Sequence, residues 1–436
     1  MVRSLNSLIL LFVFTVFSCD VIENKKLQNV TYYTPVYATT EDLASRVAVE
    51  DPKEYSESGK IITYNDFVFI NEPMKGIHII DNADPSNPQN IGFINVEGNI
   101  DMAIIDNHLY ADMFSALVVM DISDVTNPVI IEDYTVEDVF YYDRYWAIED
   151  IAATTTYDYN VRYESVDDSK GIVVDWEVEV RREEVSDEDY YLEETAFLQA
   201  ETTDTSVSTN AGANVSTAGS MARFLPVGNM LYVINFNELI LLQIDASYKP
   251  NRWGKLDTGT IAETLFQLNE LLFVGSVNGM LMYDVSDPQN PSFINKIEHF
   301  RSCDPVVADA SYAYVTLRGG TNCFTETNEL QIINIQNPES LSVVSRHVMF
   351  NPHGLAVRED HLIVCDGSAG IKVVDISNRS EPKIVETYPI GFAYDVIVQY
   401  PNALVVGENT LYQYDISELP VMKLSSEIQV SSKRSF

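Results

Sequence analysis

A repeat of about 40 residues is the feature that most constrains the fold of this chain. Each copy has a short apolar run that ends in Asp or Asn, followed by a polar turn that usually contains Pro. The clearest copy runs from Gly370 to Pro382, and the residues that end the runs are Asp81, Asp121, Asp245, Asp284, Asn334, Asp375 and Asp415. A repeat of this length, with β-branched and aromatic runs and no helical periodicity, is typical of a four-stranded propeller blade.

We therefore predict an all-β protein, a β-propeller of four-stranded blades of about 40 residues. One blade is too small to bury its own faces, so neighbouring blades must stack, and closure into a ring removes exposed sheet edges. The one long gap lies between Asp121 and Asp245. It contains a degenerate copy that begins near Asp138, and Gly171–Asp175 is a candidate for the displaced third strand of that copy. Seven clear copies and one degenerate copy favour eight blades over seven with a large insertion.

The copies resemble the LVIVD repeat, named for runs such as Lys372-Val-Val-Asp375. The resemblance covers roughly residues 59 to 420, and the chain is similar to the LVIVD-repeat lipoproteins of Gram-negative bacteria. That likeness implies a propeller and a lipoprotein of the cell envelope, but it implies no particular activity.

The N-terminus has the features of a lipoprotein signal peptide. The mostly apolar run from Leu5 to Phe17 is too short to span a membrane and fits a signal-peptide core. Ser18 and Cys19 then look like a bacterial lipobox, which predicts lipidation of Cys19; a plain secretory signal is the alternative. We expect a protein anchored in the bacterial cell envelope, at the outer membrane, on its periplasmic face or at the cell surface.

The expected organisation follows from these features. Residues 1–18 are the signal peptide, 19–58 an N-terminal tether with one docked strand at most, and 59–430 the propeller, with an irregular acidic insertion at about 150–220. Residues 200–220 are rich in Thr, Ser, Gly and Ala, and we expect them to form a mobile loop that folding does not need.

The net charge of −38, from 65 acidic and 27 basic residues, excludes nucleic acid as a partner because phosphate binding needs clustered Lys and Arg. Cations, basic peptides and neutral glycans remain possible binding partners. We expect a monomer that contacts the membrane through its N-terminal lipid and binds an envelope protein or glycan.

Three cysteines follow Cys19. Cys303 and Cys323 are expected at two connections on the same face of one blade, where a disulfide is geometrically reasonable. Cys365 lies in an apolar run and is expected to be a free thiol of the core.

No catalytic motif is present, and we assign no catalytic residue. Aligned copies instead share a polar residue where each innermost strand should begin, at one mouth of the central channel: Asp101, Asp138, Glu263, Asp304, His353 and Asp395. In one interpretation, each of these side chains caps the turn into its strand. In the other, they form a ligand or cation site for a divalent ion such as calcium, and His353 is a nitrogen ligand or proton carrier in that site. The repeat turns have the same two interpretations, capping or calcium, and capping is favoured.

The function that these features favour is a membrane-anchored, non-catalytic binding or scaffold protein. The alternative is a metal-assisted hydrolase of lactone, ester or phosphate type with its site at the channel mouth.

Overall fold

The computed structural model describes residues 26–54, 59–137, 139–140, 161–185, 217–218, 220–298, 305–319, 328–408 and 410–429. Predictions for Cys19, Asp138, Cys303, Asp304 and Cys323 fall outside these residues. The described residues divide into two compact units: 26–35, 161–166 and 176–185 form the smaller one, and the other described residues form the larger one. No helix of the described residues is long and apolar enough to cross a membrane.

The segment before the first blade forms β1 (Lys26–Ala38), the helix α1 (Thr40–Arg46) and β2 (Ala48–Glu50). A capping box starts the helix: the Thr39 hydroxyl accepts from the Asp42 N–H at 3.1 Å, and the Asp42 carboxylate accepts from the Thr39 N–H. The region predicted as a tether therefore contains a helix and two strands.

Seven sheets contain four consecutive strands each and are called blades 1 to 7. Blade 1 has β3 (Ile61–Tyr64), β4 (Phe67–Glu72), β5 (Gly76–Asp81) and β6 (Gln89–Asn95); blade 2 has β7 (Met102–Ile105), β8 (His108–Met113), β9 (Ala116–Asp121) and β10 (Val129–Ile130). Between blades 2 and 3 lie β11 (Val161–Tyr163), β12 (Ile172–Val185) and β13 (Thr217–Ala218), with 3₁₀ turns at Glu132–Tyr134 and Asp168–Lys170.

The remaining strands belong to five blades in chain order. Blade 3 has β14 (Phe224–Val227), β15 (Met230–Asn235), β16 (Glu238–Ile244) and β17 (Pro250–Asp257); blade 4 has β18 (Ala262–Leu268), β19 (Leu271–Ser276), β20 (Gly279–Asp284) and β21 (Ser292–Glu298). Blade 5 has β22 (Val306–Ala308), β23 (Tyr312–Leu317), β24 (Glu329–Asn334) and β25 (Ser342–Val348). Blade 6 has β26 (Leu355–Arg358), β27 (His361–Cys365), β28 (Ile371–Asp375) and β29 (Lys383–Tyr388); blade 7 has β30 (Ala393–Gln399), β31 (Asn402–Gly407), β32 (Thr410–Glu418) and β33 (Val421–Gln429).

The position of a strand in its blade decides its sequence pattern. Third strands such as β9 are buried on both faces, apart from the last residue, and therefore have continuous apolar runs. Outermost strands such as β29 are largely exposed and carry polar residues. This difference explains why the third strands dominate the repeat.

The innermost strands form a closed cycle of contacts in the order β3, β7, β14, β18, β22, β26, β30 and back to β3. The apolar core lies between successive blades; for example, Ile61 and Ile70 of blade 1 pack with Ile397 and Leu404 of blade 7. The prediction of an all-β propeller is confirmed. The described residues form eight sheets, consistent with the favoured count of eight, and the cycle of inner-strand contacts links seven of them.

The eighth sheet has three strands in the order β11–β1–β12, with β1 and β11 parallel. In the smaller unit, the rings of Tyr33 and Tyr163 stack at 5.0 Å, and the Tyr32 hydroxyl donates to Glu183 Oε1 at 2.6 Å. The candidate third strand Gly171–Asp175 overlaps the start of β12, so its neighbour is β1 and not a strand of the degenerate copy.

Two further strands extend blade 1. β2 pairs antiparallel with β6 at the outer edge, where Ala48 is opposite Asn95. β13 pairs antiparallel with β3 at the inner edge, where Ala218 is opposite Ile62. Since β3 is an innermost strand, β13 lies on the channel side of blade 1.

The turn after each third strand is capped by the repeat's own Asp or Asn. Its Oδ1 atom accepts from the backbone N–H two residues later, at 2.7 Å for Asp121 and Ser123 and at 3.0 Å for Asn334 and Gln336. The same bond occurs at Asp81, Asp245, Asp284, Asp375 and Asp415. The capping interpretation of the repeat turn is confirmed in all seven blades.

The same turns also join neighbouring blades. A backbone carbonyl of the turn accepts a hydrogen bond from a side chain of the preceding blade, as Pro288 O does from the Tyr232 hydroxyl at 2.7 Å. The other acceptor carbonyls, with their donors, are Tyr248 (Tyr110), Pro338 (Asn295), Arg379 (Ser345) and Pro85 (Gln413 and Ser426). We call these bonds turn latches; each contributes on the order of 1 kcal/mol.

Candidate ligand site at the channel mouth

The described site residues lie where the sequence placed them, at the beginning of innermost strands. Asp101 immediately precedes β7, His353 lies two residues before β26, and Glu263 and Asp395 lie near the starts of β18 and β30. All four are buried. The pairing register shifts after the first residue of both β18 and β30, so that Glu263 and Tyr394 have no residue opposite them.

Asp101 bonds to two backbone N–H groups. Its Oδ1 accepts from Met102 N at 2.7 Å, and this bond caps the start of β7. Its Oδ2 accepts from the N–H of Arg223, a residue just before blade 3, at 2.6 Å. Burial raises the pKa of this carboxyl, although the charge of Lys60 opposes the shift. Asp101 thus caps its own strand and also binds a distant segment.

Asp395 binds the same distant segment in blade 7. Its Oδ1 accepts from Ser220 N at 3.3 Å and from the Ser220 hydroxyl at 3.2 Å. The Ser220 hydroxyl oxygen in turn accepts from Leu355 N of blade 6 at 2.7 Å. Gly354 is required beside this contact, because a Cβ there would lie 1.9 Å from Asp395 Oδ1.

The segment that these carboxylates bind is residues 217–218 and 220–223, which we call the mouth segment. Besides the β13 pairing, the Met221 carbonyl accepts from Lys60 Nζ at 2.7 Å, and the Ala222 carbonyl accepts from Leu265 N of blade 4 at 3.2 Å. The Arg223 carbonyl accepts from Ile234 N of blade 3 at 2.9 Å, so the segment bonds to blades 1, 2, 3, 4, 6 and 7. Thr217, Ala218 and Ser220 end the stretch predicted as a mobile loop, and for them that prediction is wrong, because they pair with β3 or are buried.

His353 is held as a neutral imidazole. Arg318 Nη1 lies within hydrogen-bond distance of His353 Nδ1, and since a guanidinium only donates, the ring nitrogen accepts. Burial, helped by the Arg318 charge, lowers the His353 pKa to about 3. The rings of Phe392 and Tyr394 pack edge-on against the imidazole. His353 is therefore uncharged at neutral pH.

Asp112, at the end of β8, is a mouth residue that the sequence analysis missed. Its Oδ1 accepts from Ile100 N at 2.7 Å, Asp101 N at 2.9 Å and Asn99 Nδ2 at 2.7 Å. Burial raises its pKa to about 7. Asp366, one residue after β27, accepts hydrogen bonds from Phe350 N and Asn351 N in the same way. The sequence signal that could have identified both residues is an Asp at the end of a blade's second strand.

Within the described part of the chain, no group of three His, Cys, Asp or Glu side chains is arranged to hold a metal ion. The cation hypothesis also involves Asp138 and Asp304, which lie outside that part, so it stays a prediction. The arrangement that is present binds an extended backbone, because carboxylates accept from N–H groups while Lys60 and Leu265 donate to carbonyls.

Two segments of the chain, residues 100–136 and 352–389, match the sequence profile of the LVIVD repeat. No protein of curated function matches the chain in sequence. Among solved structures, a protein from Lactobacillus plantarum and the periplasmic gluconolactonase of Pseudomonas aeruginosa each share 10% identity with it, at a TM-score of 0.50. Both alignments cover 86% of this chain and 97% of the other, and at this identity they show the fold alone. The profile matches support membership of an LVIVD-repeat family, and the chain is a β-propeller that carries LVIVD repeats.

Proposed function

We propose that this chain is a membrane-anchored, non-catalytic binding or scaffold protein of the bacterial cell envelope. The observation that carries the proposal is the mouth segment. Asp101 and Asp395, the carboxylates that a channel-mouth enzyme would use, accept hydrogen bonds from the chain's own residues. A substrate or cation at these atoms would first have to displace that segment.

The anchor in this proposal is a lipid on Cys19, supported by the apolar run and the Ser18-Cys19 pair. The proposed location is the outer membrane, at its periplasmic face or the cell surface. The net charge of −38 favours a partner with a basic or neutral surface, a protein or a glycan.

The decisive experiment measures turnover and binding on the same lipidated preparation. We expect no hydrolysis of a panel of lactones, esters and phosphate monoesters, and saturable, stoichiometric cross-linking to an envelope component. The Cys19→Ser variant should lose membrane association and keep its fold. Turnover that disappears in Asp395→Asn would overturn the proposal in favour of an enzyme.

One observation favours the alternative of a metal-assisted hydrolase. Asp101 and Asp112 are buried carboxyl groups with raised pKa values at one end of the channel, the kind of group that serves as a general acid. If a cation completes such a site, calcium should raise the melting temperature of the wild type over its value in chelator, and Asp304→Asn should reduce that rise. Equal melting temperatures of the wild type in both conditions would remove the cation from the mechanism.

A further inference from the structure

The junction between blades 7 and 1 lacks a sheet that continues across it. Blade 7 contains the last four described strands, β30 to β33, and none of them pairs with a strand of blade 1 in the described residues. A ring that closes without exchanging a strand between its ends depends on other contacts at this junction.

At the face of the repeat turns, side chains make these contacts. The amides of Asn82 and Gln413 bond reciprocally at 3.0 and 2.7 Å, and both are buried. Gln413 and Ser426 also donate to the Pro85 carbonyl, the turn latch of blade 1. This end of the junction resembles the other blade interfaces that carry a latch.

At the opposite face, the mouth segment makes the contacts. β13 extends the sheet of blade 1 from its inner edge, and two residues later Ser220 bonds to Asp395 of blade 7. The same hydroxyl accepts from Leu355 N of blade 6. One short stretch of backbone therefore joins the first blade to the last two.

The mouth recognises this stretch through features that define a class of ligand. It pairs with an extended backbone along β3, and it binds a hydroxyl group and an N–H through Asp395 and a carbonyl through Lys60. The positions of Ser220 and Ala222 are 2% and 1% exposed, so both require small side chains. Met221, between them, is also buried.

We propose that the channel mouth is a binding site for an extended peptide of the pattern Ser-apolar-small. The mouth segment, residues 217–218 and 220–223, occupies this site in the folded chain and thereby closes the ring between blades 7 and 1. This proposal does not depend on the proposed function.

The test replaces residues 217–223 of the full chain by seven Gly residues, which lack the hydroxyl of Ser220 and the side chains of Met221 and Ala222. Amide hydrogen exchange in β3 and β30 should become at least tenfold faster, while exchange in β19 of blade 4 stays the same. A synthetic peptide of residues 215–225 should then bind saturably and restore the slow exchange, and the peptide with Ser220→Ala should bind at least tenfold more weakly. A folded variant that does not bind the peptide, or that keeps wild-type exchange, overturns the proposal.

Single substitutions give a second test that does not depend on the replaced segment. Ser220→Ala should speed exchange at β3 and β30, and adding it to Asp395→Ala should have little further effect, because both changes remove the bond between the Ser220 hydroxyl and Asp395 Oδ1. The matched control is Ser345→Ala, which removes a hydroxyl bond between blades 5 and 6. The proposal fails if Ser220→Ala affects the junction of blades 7 and 1 no more than Ser345→Ala does.

Discussion

Replacing Asp112 by Asn should make the protein more stable, and increasingly so as the pH rises. Among the described residues, Asn99, Ile100 and Asp101 donate to this side chain and all three bonds end on Oδ1, so the amide oxygen of Asn can accept them. The substitution therefore removes a buried ionisable group and retains these hydrogen bonds, although it also removes the attraction between the Asp112 carboxylate and the charge of Arg223.

The magnitude follows from the pKa of Asp112, which burial raises from the ordinary 3.8 to about 7. Between these values the folded protein binds more protons at this site than the unfolded chain. The free energy of unfolding therefore falls as the pH rises through this range, and the group's stabilising contribution is fully present only below about pH 4. A shift of about three units corresponds to roughly 4 kcal/mol, an upper limit on the gain from Asp112→Asn at pH 8.

The assay is urea unfolding of wild type and variant at pH 4.5, 6 and 8. We expect similar free energies of unfolding at pH 4.5 and a growing advantage for Asp112→Asn at pH 6 and 8. Asp121→Asn is the control, since hydrogen bonds from Ser123 lower the pKa of Asp121. The stability that Asp121 contributes is present above the unfolded pKa and lost as the pH falls, so its substitution has the opposite pH dependence. If the free energies of unfolding of Asp112→Asn and wild type differ by the same amount at all three pH values, the reasoning is refuted.

Three further predictions address the anchor, the disulfide and the turn latches. Mass spectrometry of the mature protein should find a lipid-modified Cys19 at its N-terminus; an unmodified N-terminus elsewhere would exclude the anchor. Peptide mapping without reduction should recover Cys303 linked to Cys323. This disulfide would close a loop of about twenty residues and stabilise the folded protein by on the order of 3 kcal/mol. The recovery of two free thiols would contradict the predicted disulfide. Tyr232→Phe removes the hydroxyl that bonds to the Pro288 carbonyl and should cost about 1 kcal/mol in urea unfolding; no loss would mean that the latch contributes nothing.

The sequence was sufficient for those parts of the fold that depend on local pattern. Third strands are buried on both faces and so have conspicuous apolar runs. Asp81 and Asp121, which the repeat pattern identified as the ends of such runs, are the last residues of β5 and β9. The Asp and Asn turn caps were also predictable, because their bonds join residues two positions apart. Cys365 is a buried free thiol, as its apolar neighbours indicated.

The contacts of the site could not be predicted, because they depend on distant parts of the chain. The alignment of copies identified Asp101 and Asp395, but nothing near either residue indicates a bond to Arg223 or Ser220. The mouth segment has no apolar run, and four of its six residues are Thr, Ser or Ala, which is a composition typical of loops. It is ordered because blades 1, 2, 3, 4 and 7 supply partners for its backbone, and blade 6 supplies one for the Ser220 hydroxyl, a condition that exists only once the ring has formed.

The arrangement of each blade as four consecutive strands has a consequence for how such a chain can change. Duplication or loss of one stretch of about 40 residues adds or removes a whole sheet and leaves every other hydrogen-bonded ladder intact. The turn latch travels with the stretch, since its acceptor carbonyl lies in the turn that every copy contains. The ancestry of this ring can therefore be a series of whole-blade duplications, and new termini placed between any two blades should yield a permuted chain with the same sheets.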